Sequence, residues 1–149
     1  MDEHDAWERL KDARVGHLAT AGPDGTPHVV PFVFAVEGRT LYWSVDAKPK
    51  RTTELKRIAN IRGNPNVEVV VDGYQEDWTR LWWVRVVGTA RVLQPGHEWD
   101  LGIRVLAAKY EQYEGDPPPG PVVAVDVVRV VGWEPGARRR IEPAPRIER

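Results

Sequence analysis

A block of positive charge between residues 48 and 65 is the strongest candidate for a chemical site. Its sequence is KPKRTTELKRIANIRGNP, in which six of the first fifteen residues are Lys or Arg. Lys48 and Lys50 precede a predicted helix, and we expect Lys56 and Arg57 on its exposed side. The free N–H groups of a helix start, the helix dipole and nearby cations together favour phosphate binding. A solvated helix face without a ligand is the alternative interpretation of the same charges.

The aromatic residues indicate what the phosphate would be attached to. The chain has seven Trp residues. Trp78, Trp82 and Trp83 follow a polar connection, and Trp133 ends the last predicted strand. Packing in the core and at a dimer interface explains some of them, and the wall of a pocket for a flat ring is the alternative. A phosphate anchor combined with an aromatic wall favours a phosphorylated ring cofactor such as a flavin.

The histidines and the known catalytic motifs point to no protein-based chemistry. His17 and His28 fall on neighbouring predicted strands, where they could face each other, but two His without a third ligand predict no metal site. The sequence contains no nucleophile elbow, zincin motif or phosphate-binding P-loop. We therefore expect that a cofactor supplies any redox chemistry.

Length and charge restrict the class of protein. The chain has 149 residues, a formal net charge of −1 and no Cys. This balance argues against a general nucleic-acid binder, and the absence of Cys excludes disulfides and thiolate sites. The acidic N-terminus does not resemble a signal peptide, and no apolar run approaches the roughly 20 residues that span a bilayer. These features predict a cytoplasmic protein without membrane association.

Hydrophobic periodicity predicts the elements that position these residues. A domain over residues 1–137 is expected to be mainly β (α+β), followed by a polar, mobile tail over 138–149. Six strands and about three short helices predict a closed or nearly closed antiparallel barrel, with Gly88 bending the longest strand. The predicted strands cover residues 15–20, 27–36, 40–45, 67–72, 81–93 and 122–133.

The order of several loose motifs resembles a known family. The stretches GHLATAGPDGTPHVVPFVF, WSVDAKPKRTTELKRIANIRGNPNVEVVVD, DWTRLWWVRVVGTARVL and VVGW resemble the split-barrel superfamily of pyridoxamine 5'-phosphate oxidases and flavin reductases. The similarity covers residues 14–133 and is greatest to the actinobacterial F420-dependent oxidoreductases. It implies a six-stranded FMN-binding split barrel that forms a homodimer with two cofactor sites at the interface.

The resemblance also implies roles for individual residues. The basic residues would hold the cofactor phosphate, Asn60 would be their polar neighbour, Pro31, Phe32 and Val33 would flank the ring, and Ser44 and Val45 would give backbone contacts. Four aromatic residues could reach the site from the partner chain, and an Arg run could meet the polyglutamate tail of F420. The complete set of cofactor candidates is Lys48, Lys50, Lys56, Arg57, Asn60, Pro31, Phe32, Val33, Ser44, Val45, Trp78, Trp82, Trp83 and Trp133, with Arg138, Arg139 and Arg140 for the tail.

Three functional hypotheses follow from the resemblance. The first is an oxidoreductase in which F420 transfers a hydride to an unsaturated or quinone-like small molecule, with His17, His28 or Tyr42 as candidate proton donors. The second is a carrier that binds F420 or FMN without turnover. The third is an FMN-dependent oxidase or flavin reductase. The short basic insertion before the helix favours the deazaflavin F420 among these cofactors, on the grounds of resemblance alone.

Overall fold

The structure is a computed structural model that describes residues 1–45 and 51–136. Within this part, residues 51–55 are described by their backbone alone. Lys48 and Lys50 therefore lie outside the described residues, as do Arg138, Arg139 and Arg140 and the tail for which mobility was predicted.

Three α-helices and seven β-strands form the described chain, together with two short 3-10 turns. The helices are α1 (Glu3–Asp12), α2 (Arg51–Gly63) and α3 (His97–Lys109). The strands are β1 (Gly16–Ala21), β2 (Pro27–Phe32), β3 (Ala35–Glu37), β4 (Thr40–Ser44), β5 (Asn66–Gly73), β6 (Trp82–Val92) and β7 (Val122–Trp133). The 3-10 turns are Trp78–Arg80 and Glu111–Tyr113.

All seven strands belong to one antiparallel sheet in the order β2-β1-β5-β6-β7-β4-β3. β2 and β3 form the two edges of this sheet, yet only Val33 and Phe34 separate them along the chain. So short a connection requires the sheet to curl until its edges approach each other. The fold is therefore the predicted split barrel.

The strand predicted over residues 27–36 is two strands, which raises the count from six to seven. The break occurs where the backbone of Phe34 bonds to the side chains of Lys109 and Tyr110, at the C-terminal end of α3. Its N–H donates to the Tyr110 hydroxyl at 3.2 Å, and its carbonyl accepts from that hydroxyl and from Lys109 Nζ, both at 2.9 Å. Partners from side chains satisfy the backbone groups that a continuous strand would pair across the sheet.

The core lies inside the curled sheet, and β6 shows how the sequence specifies it. Alternate residues of this strand, from Val84 through Val86 and Gly88 to Ala90, are buried as their spacing predicts. A β-bulge lies between Val87 and Gly88. A Cβ at Gly88 would approach Val125 Cγ1 to 2.5 Å, so the position at which the strand bends has room for glycine only.

Charged side chains tie α3 to the outer surface of the sheet. The Arg91 guanidinium donates to Asp126 Oδ2 and to Glu98 Oε1, in each case at 2.7 Å. Glu98 Oε2 also accepts a hydrogen bond of 3.0 Å from the Tyr42 hydroxyl. Arg91 holds the pKa of Glu98 below its usual value through these hydrogen bonds. The contacts join β4, β6 and β7 to the first turn of α3.

Candidate functional site

A pocket of about 260 Å³ opens where the end of β2, the end of β4 and helix α2 meet. Its wall contains Pro31, Phe32, Val33, Trp43, Ser44 and Arg57. Val15 and Tyr113 complete the lining from the start of β1 and from the second 3-10 turn. Five of the predicted cofactor residues, all of the six above except Trp43, thus come together in one cavity.

Arg57 supplies the positive charge of this pocket. The sequence placed Arg57 on the exposed side of α2, and this prediction is wrong: the residue is 8% exposed. Its guanidinium carbon lies 4.8 Å from the centroid of the Trp43 ring. The aromatic face compensates part of the loss of hydration, because its quadrupole attracts a cation. A guanidinium held in this way at a pocket wall can bind a phosphate through two parallel N–H donors.

Aromatic rings form the wall on which Arg57 lies. Phe32 meets Trp43 edge to face at 6.4 Å and stacks on Phe34 at 5.1 Å, measured between ring centroids. Trp43 is 1% exposed, and its Nε1 has no hydrogen-bond partner among the residues that the structure describes. The ring faces of Phe32 and Trp43 thus form an apolar part of the wall, beside the cation of Arg57.

Ser44 and Val45 follow Trp43 at the edge of the pocket. The Ser44 hydroxyl donates to the Pro121 carbonyl at 3.2 Å, and the Val45 N–H donates to the same oxygen at 3.1 Å. The Val45 N–H is therefore already bonded within the chain. Of the two predicted backbone contributors, Ser44 lines the pocket and Val45 holds the end of β4 in position.

The other polar candidates on α2 lie away from the pocket. Lys56 is exposed, and its charge helps to lower the pKa of Asp24, after the larger effect of hydrogen bonds from Thr26. Asn60 is buried, and its Nδ2 donates to Thr20 Oγ1 at 3.1 Å. Asn60 thus attaches α2 to β1.

The four Trp candidates lie at the far end of the sheet from Ser44. Trp83 pairs with Trp133 at one end of β6 and β7, whereas Ser44 pairs with Val122 at the other end of β7. The two Trp rings stack at 6.4 Å, and Trp78 stands on the surface with 76% exposure.

Trp82 belongs to the same end of the sheet. The Arg9 guanidinium covers its ring at 4.8 Å. None of the four Trp residues lines the pocket of its own chain.

The candidate proton donors are also separate from the pocket. His17 pairs with Pro31 and His28 pairs with Thr20, three residues further along β1. Because side chains alternate along a strand, the two His lie on opposite faces of the sheet. The prediction that they could face each other is therefore wrong.

Tyr42 points to the face of β4 opposite to Trp43 and packs against Val122 and Leu93. Burial, and then the hydrogen bond to Glu98, raise the pKa of Tyr42 to about 12. None of the three candidates is among the residues that line the pocket.

Sequence reasoning did not identify Val15, Trp43 and Tyr113 as site residues. The sequence signal for Trp43 was its position immediately before Ser44, at the end of the strand that borders the pocket. No sequence signal linked Tyr113 to a site, since a turn after α3 brings it there. The described chain contains no group of three or more His, Asp or Glu residues placed to hold a metal. It also contains no helix long and apolar enough to cross a membrane.

Comparison with known families gives one match over nearly the whole chain. The sequence profile described as pyridoxamine 5'-phosphate oxidase matches residues 2–134. No curated protein matches significantly by sequence.

Solved structures with the same architecture include several with a described ligand. A FAD-binding protein from Mesorhizobium loti is 25% identical with a TM-score of 0.68, over 89% of this chain and 94% of that chain. The FAD-binding protein of Mycobacterium smegmatis is 24% identical with a TM-score of 0.60, again over 89% of this chain and 94% of that chain. The heme storage protein of Vibrio cholerae is 14% identical with a TM-score of 0.66, over 89% and 93%. The likeness to the last two shows a common fold.

Proposed function

Because the chain belongs to the pyridoxamine 5'-phosphate oxidase family, we propose that it binds a phosphorylated tricyclic cofactor in this pocket and acts as an oxidoreductase. The proposed cofactor is the deazaflavin F420, and the proposed reaction is hydride transfer to an unsaturated or quinone-like small molecule. The choice of F420 rests on the resemblance of the basic stretch before α2 to the deazaflavin branch of the family.

The observation that carries the proposal is the pairing of Arg57 with the aromatic wall. The fork of donors on a guanidinium matches the oxygens of a phosphate. The Trp43 ring lies against this cation, which is 8% exposed and therefore largely kept from bulk water. An anion that enters therefore gains more from Arg57 than it would from an exposed lysine.

The apolar lining suits the ring of the cofactor. Pro31, Phe32 and Val33 lie beside one another at the end of β2 and lack charged groups. When bound, F420 would supply the hydride, and these residues would orient its ring and exclude water from it. Arg57 would fix the phosphate end, so that the reactive carbon keeps a constant position relative to the substrate.

A second copy of the chain is part of the proposal. A volume of about 260 Å³ is below the roughly 300–1,000 Å³ typical of pockets that enclose a whole ligand. Trp78, Trp82, Trp83 and Trp133 do not line this pocket within one protomer. We propose that a homodimer brings them to the partner's site, where they complete the ring pocket, and that Arg138, Arg139 and Arg140 meet the polyglutamate tail.

A flavin is the second candidate cofactor. The Mesorhizobium loti structure is that of a FAD-binding protein at 25% identity, and FMN shares the phosphate and the tricyclic ring with F420. An FMN-dependent oxidase or reductase would use the same pocket residues in the same roles. A carrier that binds the cofactor without turnover is the third candidate, because the solved structures with this fold include a heme storage protein.

A titration with three cofactors tests the proposal. Purified protein is mixed separately with F420, FMN and FAD, and quenching of Trp fluorescence gives each Kd. We expect micromolar binding of F420 and weaker binding of the two flavins. A reversed preference assigns the protein to the flavin candidate. Absence of binding for all three contradicts the proposed function. Oxidation of reduced F420 by quinone acceptors, followed by absorbance, then separates an enzyme from a carrier.

A further inference from the structure

Two adjacent side chains at the C-terminal end of α3 bind the backbone of three residues that are distant in sequence. The Tyr110 hydroxyl accepts from the Phe34 N–H at 3.2 Å and donates its proton to the carbonyls of Phe34 and Arg14, both at 2.9 Å. Lys109 Nζ donates to the Phe34 carbonyl at 2.9 Å and to the Ala13 carbonyl at 2.6 Å. These two side chains and the three backbone segments are called the α3 clamp below.

The clamp holds parts of the chain that the sheet does not hold. Ala13 and Arg14 connect α1 to β1, and Phe34 lies between β2 and β3. Backbone groups outside the strands have no ladder partner, so side chains must satisfy them where water is excluded. Tyr110 is 6% exposed. Loss of its hydroxyl would leave the Phe34 N–H without its partner, and the connection would have to move to find another.

The clamp adjoins one side of the cofactor pocket. Two residues of the pocket lining, Val15 and Val33, are direct chain neighbours of clamped residues. A third, Tyr113, packs edge to face on Tyr110 with the ring centroids 6.1 Å apart. Three of the eight described residues that line the pocket are therefore attached to the clamp, while its two side chains are not among those eight.

We infer that Lys109 and Tyr110 are positioning residues for the ring of the cofactor. Through the clamp they fix Val15, Val33 and Tyr113, which would form one wall against that ring. This inference rests on the proposed function, in which the end of β2 flanks the ring. Dispersion contacts weaken steeply with distance, so a small displacement of this wall would cost contacts to the ring. The contact between Arg57 and the phosphate would remain.

Affinity for two matched ligands tests the inference. Tyr110→Phe keeps the ring that packs on Tyr113 and removes the hydroxyl from the clamp. The ligands are F420 or FMN, whichever the wild type binds, and the matching phosphate-free analogue, 8-hydroxy-5-deazariboflavin or riboflavin. Because the lost contacts are those to the ring, both Kd values are expected to rise by the same factor, about fivefold or more.

The absorption spectrum of the bound ring is the second readout. It is recorded at saturation, so it reports the surroundings of the ring and not the affinity. We expect the spectrum in Tyr110→Phe to differ from that in the wild type, because the wall next to the ring has moved. A loss of global stability alone would not change it.

Two further variants make the test specific. Gly88→Ala is the control for stability, because it should also destabilise the fold, but Gly88 bends β6 and does not line the pocket. Its Kd values should stay within about twofold of the wild type, with an unchanged spectrum. Lys109→Met keeps an unbranched side chain beside Phe34 and removes the other two bonds of the clamp. It should raise both Kd values equally, and it provides the test if Tyr110→Phe does not fold.

The outcomes separate this inference from the proposed function. A folded clamp variant with the Kd values and bound spectrum of the wild type overturns the inference and leaves the function standing. A loss confined to the phosphorylated ligand also overturns it, because the clamp would then act on the phosphate end. An equally large loss in Gly88→Ala overturns it as well, since the effect would follow from stability. Failure of the wild type to bind any cofactor overturns both.

Discussion

The Arg57 guanidinium carbon lies 4.8 Å from the centroid of the Trp43 ring, and both residues are buried at the wall of one pocket. This contact joins the only basic helix of the described chain to the end of β4. Arg57, one cation of the basic stretch, is therefore held in a buried position at the pocket wall. Its neighbour Lys56 stays in solvent. The stability and the binding properties of the protein should therefore depend on these two adjacent residues in different ways.

Replacement of Arg57 should destabilise the fold, unlike replacement of Lys56. Arg57→Ala removes a buried side chain and its contact with Trp43, so we expect a loss of about 1–3 kcal/mol in the free energy of unfolding. Lys56→Ala, an exposed position on the same helix, should change it by less than about 0.5 kcal/mol. Urea unfolding followed by fluorescence measures both. Equal, small effects would contradict the assignment of Arg57 to the interior.

Asn60 should matter for stability and not for the cofactor. Asn60→Ala leaves the buried Thr20 hydroxyl without its partner, and the expected loss is about 1–3 kcal/mol. Cofactor affinity should remain within about twofold of the wild type, since Asn60 does not line the pocket. The pair Thr20→Val with Asn60→Leu removes both polar groups and should recover part of the stability. A large change in Kd for Asn60→Ala would place this residue at the ligand.

Lys109 should make stability depend on pH in the alkaline range. Its Nζ donates to the carbonyls of Ala13 and Phe34, and burial, followed by repulsion from Arg14, lowers the pKa of Lys109 from 10.5 to about 8. Between these two values the unfolded chain binds more protons than the native one, so the free energy of unfolding rises with pH through this window. Below about pH 8 both states are protonated and the slope disappears.

Lys109→Met isolates this effect. Between about pH 7 and pH 10 the wild type should gain on the order of 1–2 kcal/mol more than the variant does. Urea unfolding at both pH values gives the two gains, and subtraction removes the contribution of other groups, among them Asp12 near Lys109. Identical pH slopes in the two proteins would show that Lys109 keeps its ordinary pKa in the fold.

A side chain at Gly88 should disrupt the bend of β6. The Cβ of Gly88→Ala would lie 2.5 Å from Val125 Cγ1 and 3.0 Å from the Asp126 carbonyl oxygen. The backbone must shift, at an expected cost of about 1–3 kcal/mol. Gly115→Ala is the control, because its Cβ would meet no atom within 4 Å. Thermal unfolding compares the two, and a melting temperature for Gly88→Ala equal to that of the control would contradict a sterically required bulge.

Sequence patterns predicted the strands, the helices and the split barrel because alternation and helical spacing are local properties. The break at Phe34 was missed because its cause lies in Tyr110 and Lys109, distant in sequence. The burial of Arg57 was missed for a related reason. A charged residue on a helix is normally solvated, and only the position of Trp43 on another element makes its burial favourable.

Part of the site was predicted because the ends of strands follow from local sequence patterns. Pro31, Phe32, Val33 and Ser44 lie at or next to strand ends, and the topology brings these ends together, whereas Arg57 lies in the middle of α2. The role proposed for the four Trp residues requires a homodimer, whose geometry sequence periodicity does not determine. Their place in a shared site stays a prediction, as do the roles of Lys48 and Lys50, which lie outside the described residues.

The most direct test of the central claim compares a cofactor with its phosphate-free analogue in two proteins. Calorimetric titration gives the Kd of each ligand for the wild type and for Arg57→Met, which keeps an unbranched side chain against Trp43. We predict that the wild type binds the phosphorylated cofactor at least about tenfold more tightly than the analogue, and that Arg57→Met loses most of this difference. A folded Arg57→Met protein that retains the full preference for the phosphorylated form would contradict the assignment of this pocket to the cofactor phosphate.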